Sequence, residues 1–174
     1  MIKVVLVGDS GVGKTSIAQR LVCEEYSDTH IPTVGTSFFE LTVNDRPVSL
    51  WDTAGQERFA SVTVSYLRNV SVALVVYDMS QPDTVEGAAR WANRVLSFSP
   101  DASIVVIGNK KDIAIDGVSY TPEQYLPYVE VSAKTGHGIS DVHYLLSEAV
   151  SFSREEQGPS LSPVPLSDNE RVCC

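Results

Sequence analysis

The stretch GDSGVGKT, residues 8–15, follows the apolar run Ile2 to Val7 and opens an amphipathic segment. Its glycines let backbone N–H groups turn inward around an anion, where a Cβ would obstruct them. Lys14 then reaches the outer phosphates, and Thr15 offers a hydroxyl to Mg²⁺ at the positive end of the following helix. This order of strand, loop and helix predicts a phosphate-binding loop for a nucleoside polyphosphate. The residues expected to bind the phosphates are Ser10, Gly11, Val12, Gly13, Lys14, Thr15 and Ser16.

The segment GNKKD, residues 108–112, follows a second apolar run and predicts which base is bound. The carboxylate of Asp112 accepts two hydrogen bonds from the N1–H and exocyclic amine of guanine, whereas adenine offers no such donor pair. We expect Asn109 and Lys110 to tie this loop to the phosphate loop and to cover the ring. A backbone N–H for the guanine O6 is expected from the segment that contains Ser132, Ala133 and Lys134.

The segment WDTAGQERF, residues 51–59, is placed to act on the γ-phosphate. Asp52 holds Mg²⁺ through a water, Gly55 turns its N–H to the γ-phosphate, and Gln56 orients the attacking water as the catalytic residue. Thr33 supplies a second hydroxyl for Mg²⁺ while the γ-phosphate holds its loop in place. The predicted metal ligands are therefore Thr15, Thr33 and Asp52.

Composition excludes several classes of protein. With 174 residues and a net charge of −9, the chain is expected to form one main domain without a nucleic-acid partner. We find no signal peptide, and Ile2 excludes myristoylation. Strands are predicted at 2–7, 38–43, 47–52, 72–78, 103–108 and 128–131, with helices at 14–25 and 84–98 and a last helix that Ser140 caps. Asn44-Asp45 predicts a tight hairpin.

The motifs GxxxxGKT, PT, DTAGQ, NKxD and SAK occur in this order within residues 1–153, and the chain resembles Ras-superfamily small GTPases. The stretches VGTSF, WDTAGQERF and YLRN are similar to those of the Rab family, and ALVVYD with GNKKD and SAKTG looks like the endocytic Rabs. The resemblance implies one α/β P-loop NTPase domain. Its mostly parallel six-stranded sheet would have one antiparallel strand and helices on both faces.

The resemblance also implies a membrane-trafficking switch that binds GTP or GDP with Mg²⁺ and hydrolyses GTP slowly. Tyr26 would lie against the guanine, while Phe38, Trp51 and Tyr66 would face effectors. No arginine occurs in residues 24–32, so a GTPase-activating protein is expected to supply positive charge. An exchange factor, effectors, an escort protein and a GDP-dissociation inhibitor are the other implied partners of a monomer.

Residues 154–174 form a polar, proline-broken stretch, for which we predict a disordered tail after the GTPase domain. The tail ends in Cys173-Cys174, the form that Rabs use for double geranylgeranylation. Two prenyl chains meet the requirement for stable anchoring. The expected location is the cytoplasm, with cycling onto the cytosolic face of an endomembrane, in particular an endosome.

Two segments depart from the family pattern. The hairpin between Phe38 and Asp52 is about four residues shorter than usual, an even number that keeps the facing of side chains. Between Asp112 and Ser132 the usual helix has room for only a turn or two, which we expect around Thr121 to Leu126.

Two other functions share part of this pattern. A P-loop nucleoside or nucleotide kinase would share residues 8–15, but Asp112 selects guanine and no arginine-rich lid is present. A scaffold that binds GTP or GDP with negligible hydrolysis would act only through its effector face, and Gln56 argues against it.

Overall fold

The computed structural model describes residues 1–27, 33, 35–53, 65–115 and 126–153. The strands within these ranges are β1 Ile2–Val7, β2 Thr36–Val43, β3 Arg46–Thr53, β4 Val72–Asp78, β5 Ser103–Asn109 and β6 Tyr128–Glu130. The α-helices are α1 Lys14–Cys23, α2 Asp83–Phe98 and α3 Ile139–Phe152, and a 3-10 turn spans Lys111–Ile113. None of the described helices is long and apolar enough to cross a membrane.

The strands form a six-stranded sheet in the order β2-β3-β1-β4-β5-β6. The β2–β3 pair is antiparallel, and the other pairs are parallel. The central strand β4 is buried along its whole length, which explains its continuous apolar run. Strands β2 and β3 lie on one side of β1, and β4, β5 and β6 lie on the other. Open α/β sheets bind ligands where the strand order changes direction in this way, so the loop after β1 is in a position to bind one. The predicted fold class is confirmed.

Helices cover both faces of this sheet. One apolar cluster joins α1 and α3 to the sheet through residues such as Ile17 and Leu146. A second cluster joins α2 to the opposite face through Ala88, Trp91 and Val95. Because neighbouring side chains of a strand point to opposite faces, Val4 belongs to the first cluster and Val5 to the second. This layering leaves the carboxyl ends of the strands to the loops that carry the motifs.

The predicted hairpin at Asn44-Asp45 is confirmed, with φ values of 52° and 59°. Positive φ at both central residues is typical of the two-residue turns that match the twist of paired strands. Val43 pairs with Arg46 beside the turn, so the shortened hairpin stays fully paired. The Asn44 side chain donates to the Ser147 carbonyl at 3.0 Å, which fastens the turn to α3.

The prediction that Ser140 caps the last helix is wrong. Helix α3 begins at Ile139, and Gly138 in the left-handed conformation (φ 72°) is its N-cap residue. Ile139 is buried, whereas Ser140 is exposed, so packing against the sheet starts the helix two residues earlier than a Ser140 cap would. The short helix predicted around Thr121 to Leu126 lies outside the described residues except for Leu126.

Replacing Arg46 with alanine is expected to destabilise the fold by about 1–2 kcal/mol. The Arg46 guanidinium donates to the carbonyls of Val150 and Ser153 at the end of α3. The last carbonyls of a helix lack the i+4 N–H partner of interior ones, so these contacts help to cap the helix. The measurement is urea unfolding followed by circular dichroism. The matched control is Arg68→Ala, since Arg68 is exposed and its side chain makes no hydrogen bond within the described residues. Equal midpoints for the two variants would contradict the capping role.

Candidate nucleotide-binding site

The loop between β1 and α1 requires glycine at two positions, because other groups lie where a Cβ would be. A Cβ on Gly8 would lie 2.2 Å from the Val76 carbonyl oxygen, and a Cβ on Gly13 would lie 2.3 Å from Asn109 Nδ2. Gly13 also has a φ of 94°, which residues with a side chain rarely adopt. The first turn of α1 contains no acidic residue and no side-chain cap. Its backbone N–H groups and its positive dipole end therefore face the loop, an arrangement that suits an anion.

The Lys14 ammonium lies over the same loop. It donates to the carbonyl oxygens of Gly8 at 3.0 Å and Asp9 at 2.7 Å. Lys14 is buried, and this desolvation lowers its pKa to about 8, although the carboxylates of Asp52 and Asp9 favour the charged form. An anionic group bound in the loop would pair with the ammonium and so stabilise its charged form against the cost of burial.

Helix α2 braces the phosphate loop from outside, a feature that the sequence analysis missed. The Asp9 carboxylate accepts a hydrogen bond from Trp91 Nε1 at 2.9 Å and lies 3.9 Å from Arg90 Nη2. Gly87 makes this approach feasible, because a Cβ there would lie 2.2 Å from Asp9 Oδ2. The acidic side chain is thereby held against α2.

Three oxygen-bearing side chains converge beside Lys14. Thr15 Oγ1 lies 2.8 Å from Thr33 Oγ1 and donates to Asp52 Oδ2 at 2.6 Å. Burial raises the pKa of Asp52, and its Oδ1 is a buried atom without a hydrogen-bond partner within the described residues. Hydroxyl and carboxylate oxygens are the donors that Mg²⁺ prefers. The unpartnered oxygen and the two hydroxyls fit a magnesium site completed by phosphate and water.

Asn109 links three loops. Its Nδ2 donates to the Val12 carbonyl at 2.9 Å, and its Oδ1 accepts from the Ala133 N–H at 3.1 Å. The Ser132 hydroxyl donates to Asp112 Oδ1 at 2.6 Å, which orients the carboxylate expected to read the base. The structure therefore brings the phosphate loop, the NKxD segment and the SAK segment together at the carboxyl end of the sheet.

The residue before the 3-10 turn is also fixed. Lys110 adopts a left-handed conformation (φ 65°), and its ammonium lies 2.7 Å from Asp78 Oδ2. Burial alone would raise the pKa of Asp78, but hydrogen bonds from Lys110 and Ser80 lower it below its ordinary value. This ion pair joins the base loop to the end of β4.

Arg20 is a second residue that the sequence analysis missed. From the last turn of α1, its guanidinium donates to the carbonyls of Ala133 at 2.7 Å and Lys134 at 2.9 Å. The same group lies 5.7 Å from the centre of the Tyr26 ring. A basic residue near a helix C-terminus commonly donates to the last carbonyls of its own helix, which a sequence can indicate. Ala133, however, lies more than a hundred residues away along the chain, and no local pattern predicts that contact. Arg20 positions the SAK segment and Tyr26 on one flank of the site.

Of the three aromatic residues predicted to face effectors, Trp51 contacts both Phe38 and Tyr66. The ring centres of Phe38 and Trp51 are 5.2 Å apart in an edge-to-face arrangement, and those of Trp51 and Tyr66 are 5.8 Å apart. All three are half-buried, so each packs against the sheet and still presents surface. Four predicted site residues lie outside the described part of the chain: Gly55, Gln56, Cys173 and Cys174.

Sequence comparisons with known proteins show the family of this chain. Residues 3–151 match the sequence model of the Ras family. The chain is 31% identical to Ras-related protein RabC of Dictyostelium discoideum, over 99% of this chain and 96% of that protein. It is 31% identical to Ras-related protein RABF2b of Arabidopsis thaliana (99% and 94% coverage) and 30% identical to Ras-related protein Rab5 of Nicotiana tabacum (99% and 94%).

The sheet, the loops at its carboxyl end and the family match define a P-loop GTPase of the Ras class. The chain belongs to the Rab family of these small GTPases, with relatives of the Rab5 and RABF type. The alignment with RabC spans 189 positions, more than the 174 residues of this chain. This chain therefore lacks some residues that its relative has.

Proposed function

We propose that this protein binds GTP and GDP at the carboxyl end of its sheet and hydrolyses GTP slowly. The observation that carries the proposal is the position of Asn109, whose side chain contacts both the phosphate loop and the SAK segment. A phosphate site and a base site joined by one buried amide suit a single nucleotide that spans both. Asp112, oriented by Ser132, is proposed to select guanine.

The proposed nucleotide contacts follow the predicted motifs. The phosphates would be bound by Lys14 and by the N–H groups of residues 10–16, and the base would lie between Lys110 and Tyr26. Mg²⁺ would be held by Thr15 and Thr33 directly and by Asp52 through water. When bound, the ion neutralises charge on the β- and γ-phosphates. The unpartnered Asp52 Oδ1 supports this assignment, because a hydrated cation would satisfy it.

The switch would operate through two contacts that depend on the γ-phosphate. Thr33 would reach the cation while the γ-phosphate is present, and Gly55 would donate its N–H to the same phosphate. Hydrolysis would remove both contacts and release the two loops. Gln56 would orient the attacking water. Since residues 24–32 contain no arginine, a GTPase-activating protein would supply the missing positive charge.

The remaining parts of the proposal concern location and partners. Residues 1–153 would form the GTPase domain, and residues 154–174 a tail prenylated at Cys173 and Cys174. The prenyl groups would anchor the protein to the cytosolic face of an endomembrane, and the Rab5 and RABF relatives favour an endosomal one. Phe38, Trp51 and Tyr66 would present the switch state to effectors. The protein would act as a monomer. Its other partners would be an exchange factor, an escort protein and a GDP-dissociation inhibitor.

Replacing Gln56 with leucine is expected to lower single-turnover GTP hydrolysis by about tenfold or more, because the attacking water loses its orienting group. The experiment measures phosphate release from preloaded protein with Mg²⁺, beside an ATP reaction. The matched control is Gln19→Leu on α1, since the Gln19 side chain makes no hydrogen bond within the described residues. Turnover of GTP but not ATP that falls in the Gln56 variant alone supports the proposal. Tight GTP binding without Gln56-dependent turnover would instead favour a GTP-binding scaffold.

A further inference from the structure

Lys111, the variable residue of the NKxD motif, makes an ion pair with the end of β6 that the motif itself does not specify. Its Nζ lies 3.1 Å from Glu130 Oε2 at the end of β6. The Lys111 N–H also donates to the Val131 carbonyl at 2.9 Å. Lys111 is the first residue of the 3-10 turn that carries Asp112. The turn is therefore held by the side chain of the last residue of β6 and by the backbone of the residue after it.

Glu130 is itself oriented by Tyr128, whose hydroxyl is in turn in contact with that of Tyr77. Its other carboxylate oxygen accepts from the Tyr128 hydroxyl at 3.0 Å, and the Tyr128 and Tyr77 hydroxyls lie 2.7 Å apart. The two rings stack with their centres 6.4 Å apart. Lys111 holds the pKa of Glu130 below its ordinary value, so the carboxylate is ionised at neutral pH. A chain of polar contacts therefore runs from β4 through β6 to the base loop.

Gly108 makes room for this chain. A Cβ at this position of β5 would lie 2.7 Å from the Tyr77 hydroxyl and 3.0 Å from the Tyr128 hydroxyl. The strand that leads into the base loop thus lacks a side chain where the two hydroxyls meet. The contact spans the three strands β4, β5 and β6, whose carboxyl ends all border the site.

A partly exposed ion pair by itself contributes little, because both long side chains lose freedom and water screens the charges. This pair differs in that Glu130 is held before Lys111 binds it, through the tyrosine hydroxyls. Pre-organisation lowers the entropy that the contact costs. The next residue along the turn is Asp112, whose two hydrogen bonds to guanine depend on correct position and angle.

We propose that Lys111 and Glu130, supported by Tyr128 and Tyr77, are positioning residues that set Asp112 for the exocyclic amine of guanine. The inference rests on the proposed binding of guanine nucleotides. Lys111 and Glu130 would act on the base through the 3-10 turn, and neither is among the residues proposed to contact the nucleotide. Their effect therefore falls on the choice between bases more than on phosphate binding.

The test compares dissociation of GDP and inosine diphosphate, which lacks only the exocyclic amine, from the full chain. Lys111→Ala and Glu130→Gln should each release GDP about three- to fivefold faster and inosine diphosphate nearly as before, so that the preference for GDP falls. Lys111→Arg, which keeps the ion pair, should retain the preference. The exchanged pair Lys111→Glu with Glu130→Lys should recover part of it. Thermal unfolding of each variant identifies any loss of the fold.

The outcomes separate this inference from the function on which it rests. Failure of the wild-type chain to bind GDP at all would overturn the proposed function. Tight GDP binding by the wild type with unchanged base preference in Lys111→Ala and Glu130→Gln would overturn the inference alone. An equal acceleration for both nucleotides would also overturn it, because it would show a general loosening of the site. Tyr128→Phe keeps the ring stack and should lower the preference less than Glu130→Gln does.

Discussion

Replacing Gly13 with alanine is expected to lower the affinity for GDP by about a hundredfold or more. The new Cβ would lie 2.3 Å from Asn109 Nδ2, well inside van der Waals contact. Asn109 would have to move, and its contacts with Val12 and Ala133 would be lost together. The φ of 94° adds strain, since a side chain disfavours this conformation. One methyl group would therefore separate the phosphate loop from the base loop.

The measurement is titration of a fluorescent GDP analogue, together with thermal unfolding in the absence of nucleotide. Gly136→Ala is the matched control, because Gly136 has a similar φ of 82° and, within the described part of the chain, no atom beyond its own chain neighbours lies within 4 Å of the position of a Cβ. The Gly136 variant therefore has the same kind of backbone strain as the Gly13 variant but no steric clash of the new methyl group. Affinities for the two variants within about threefold of each other would contradict the bridging role of Asn109.

Replacing Asp112 with asparagine is expected to remove the preference for guanine, with GDP affinity lower by about two to three orders of magnitude. The carboxylate accepts from both guanine donors, whereas an amide provides one acceptor and a donor group. Xanthine carries a carbonyl in place of the exocyclic amine, so the variant should bind xanthosine diphosphate better than GDP. Ser132 should still donate to the side-chain oxygen, which keeps the amide in place.

Competition of GDP, inosine diphosphate and xanthosine diphosphate against a fluorescent analogue measures this exchange of preference. Asp101→Asn serves as the control, since Asp101 is exposed on the turn after α2. This control also removes one negative charge, but at a position away from the proposed site. Retention of guanine preference in the Asp112 variant would show that another group reads the base.

The prediction of the sheet succeeded because its signals are local. The apolar runs of β1, β4 and β5 and the turn residues Asn44 and Asp45 specify strand and hairpin within a few residues of each other. The start of α3 was predicted wrongly for the opposite reason. Burial of Ile139 against the sheet outweighed the capping preference of Ser140, and burial depends on the assembled fold.

In the proposed site too, some residues could be predicted from local sequence and others could not. Lys14, Asn109 and Asp112 could be predicted because each stands in a short motif with a chemical requirement. The residues that hold these motifs could not. Asp9 with Trp91, Arg20 with Ala133 and Lys111 with Glu130 are partners far apart along the chain. Nothing in the local sequence pairs them.

The sequence by itself determined the order of strands and helices, the phosphate loop and the chemistry of the residues expected at the site, because these follow from hydrophobic period and from motif spacing. The tertiary structure decided which side chains orient that chemistry: the Asn109 bridge, the α2 brace on Asp9, and the Lys111–Glu130 pair beside Asp112. The physical reason is that a hydrogen bond needs its partners within about 3 Å at a suitable angle. Only the packing of strands and helices into one sheet brings distant residues to that range.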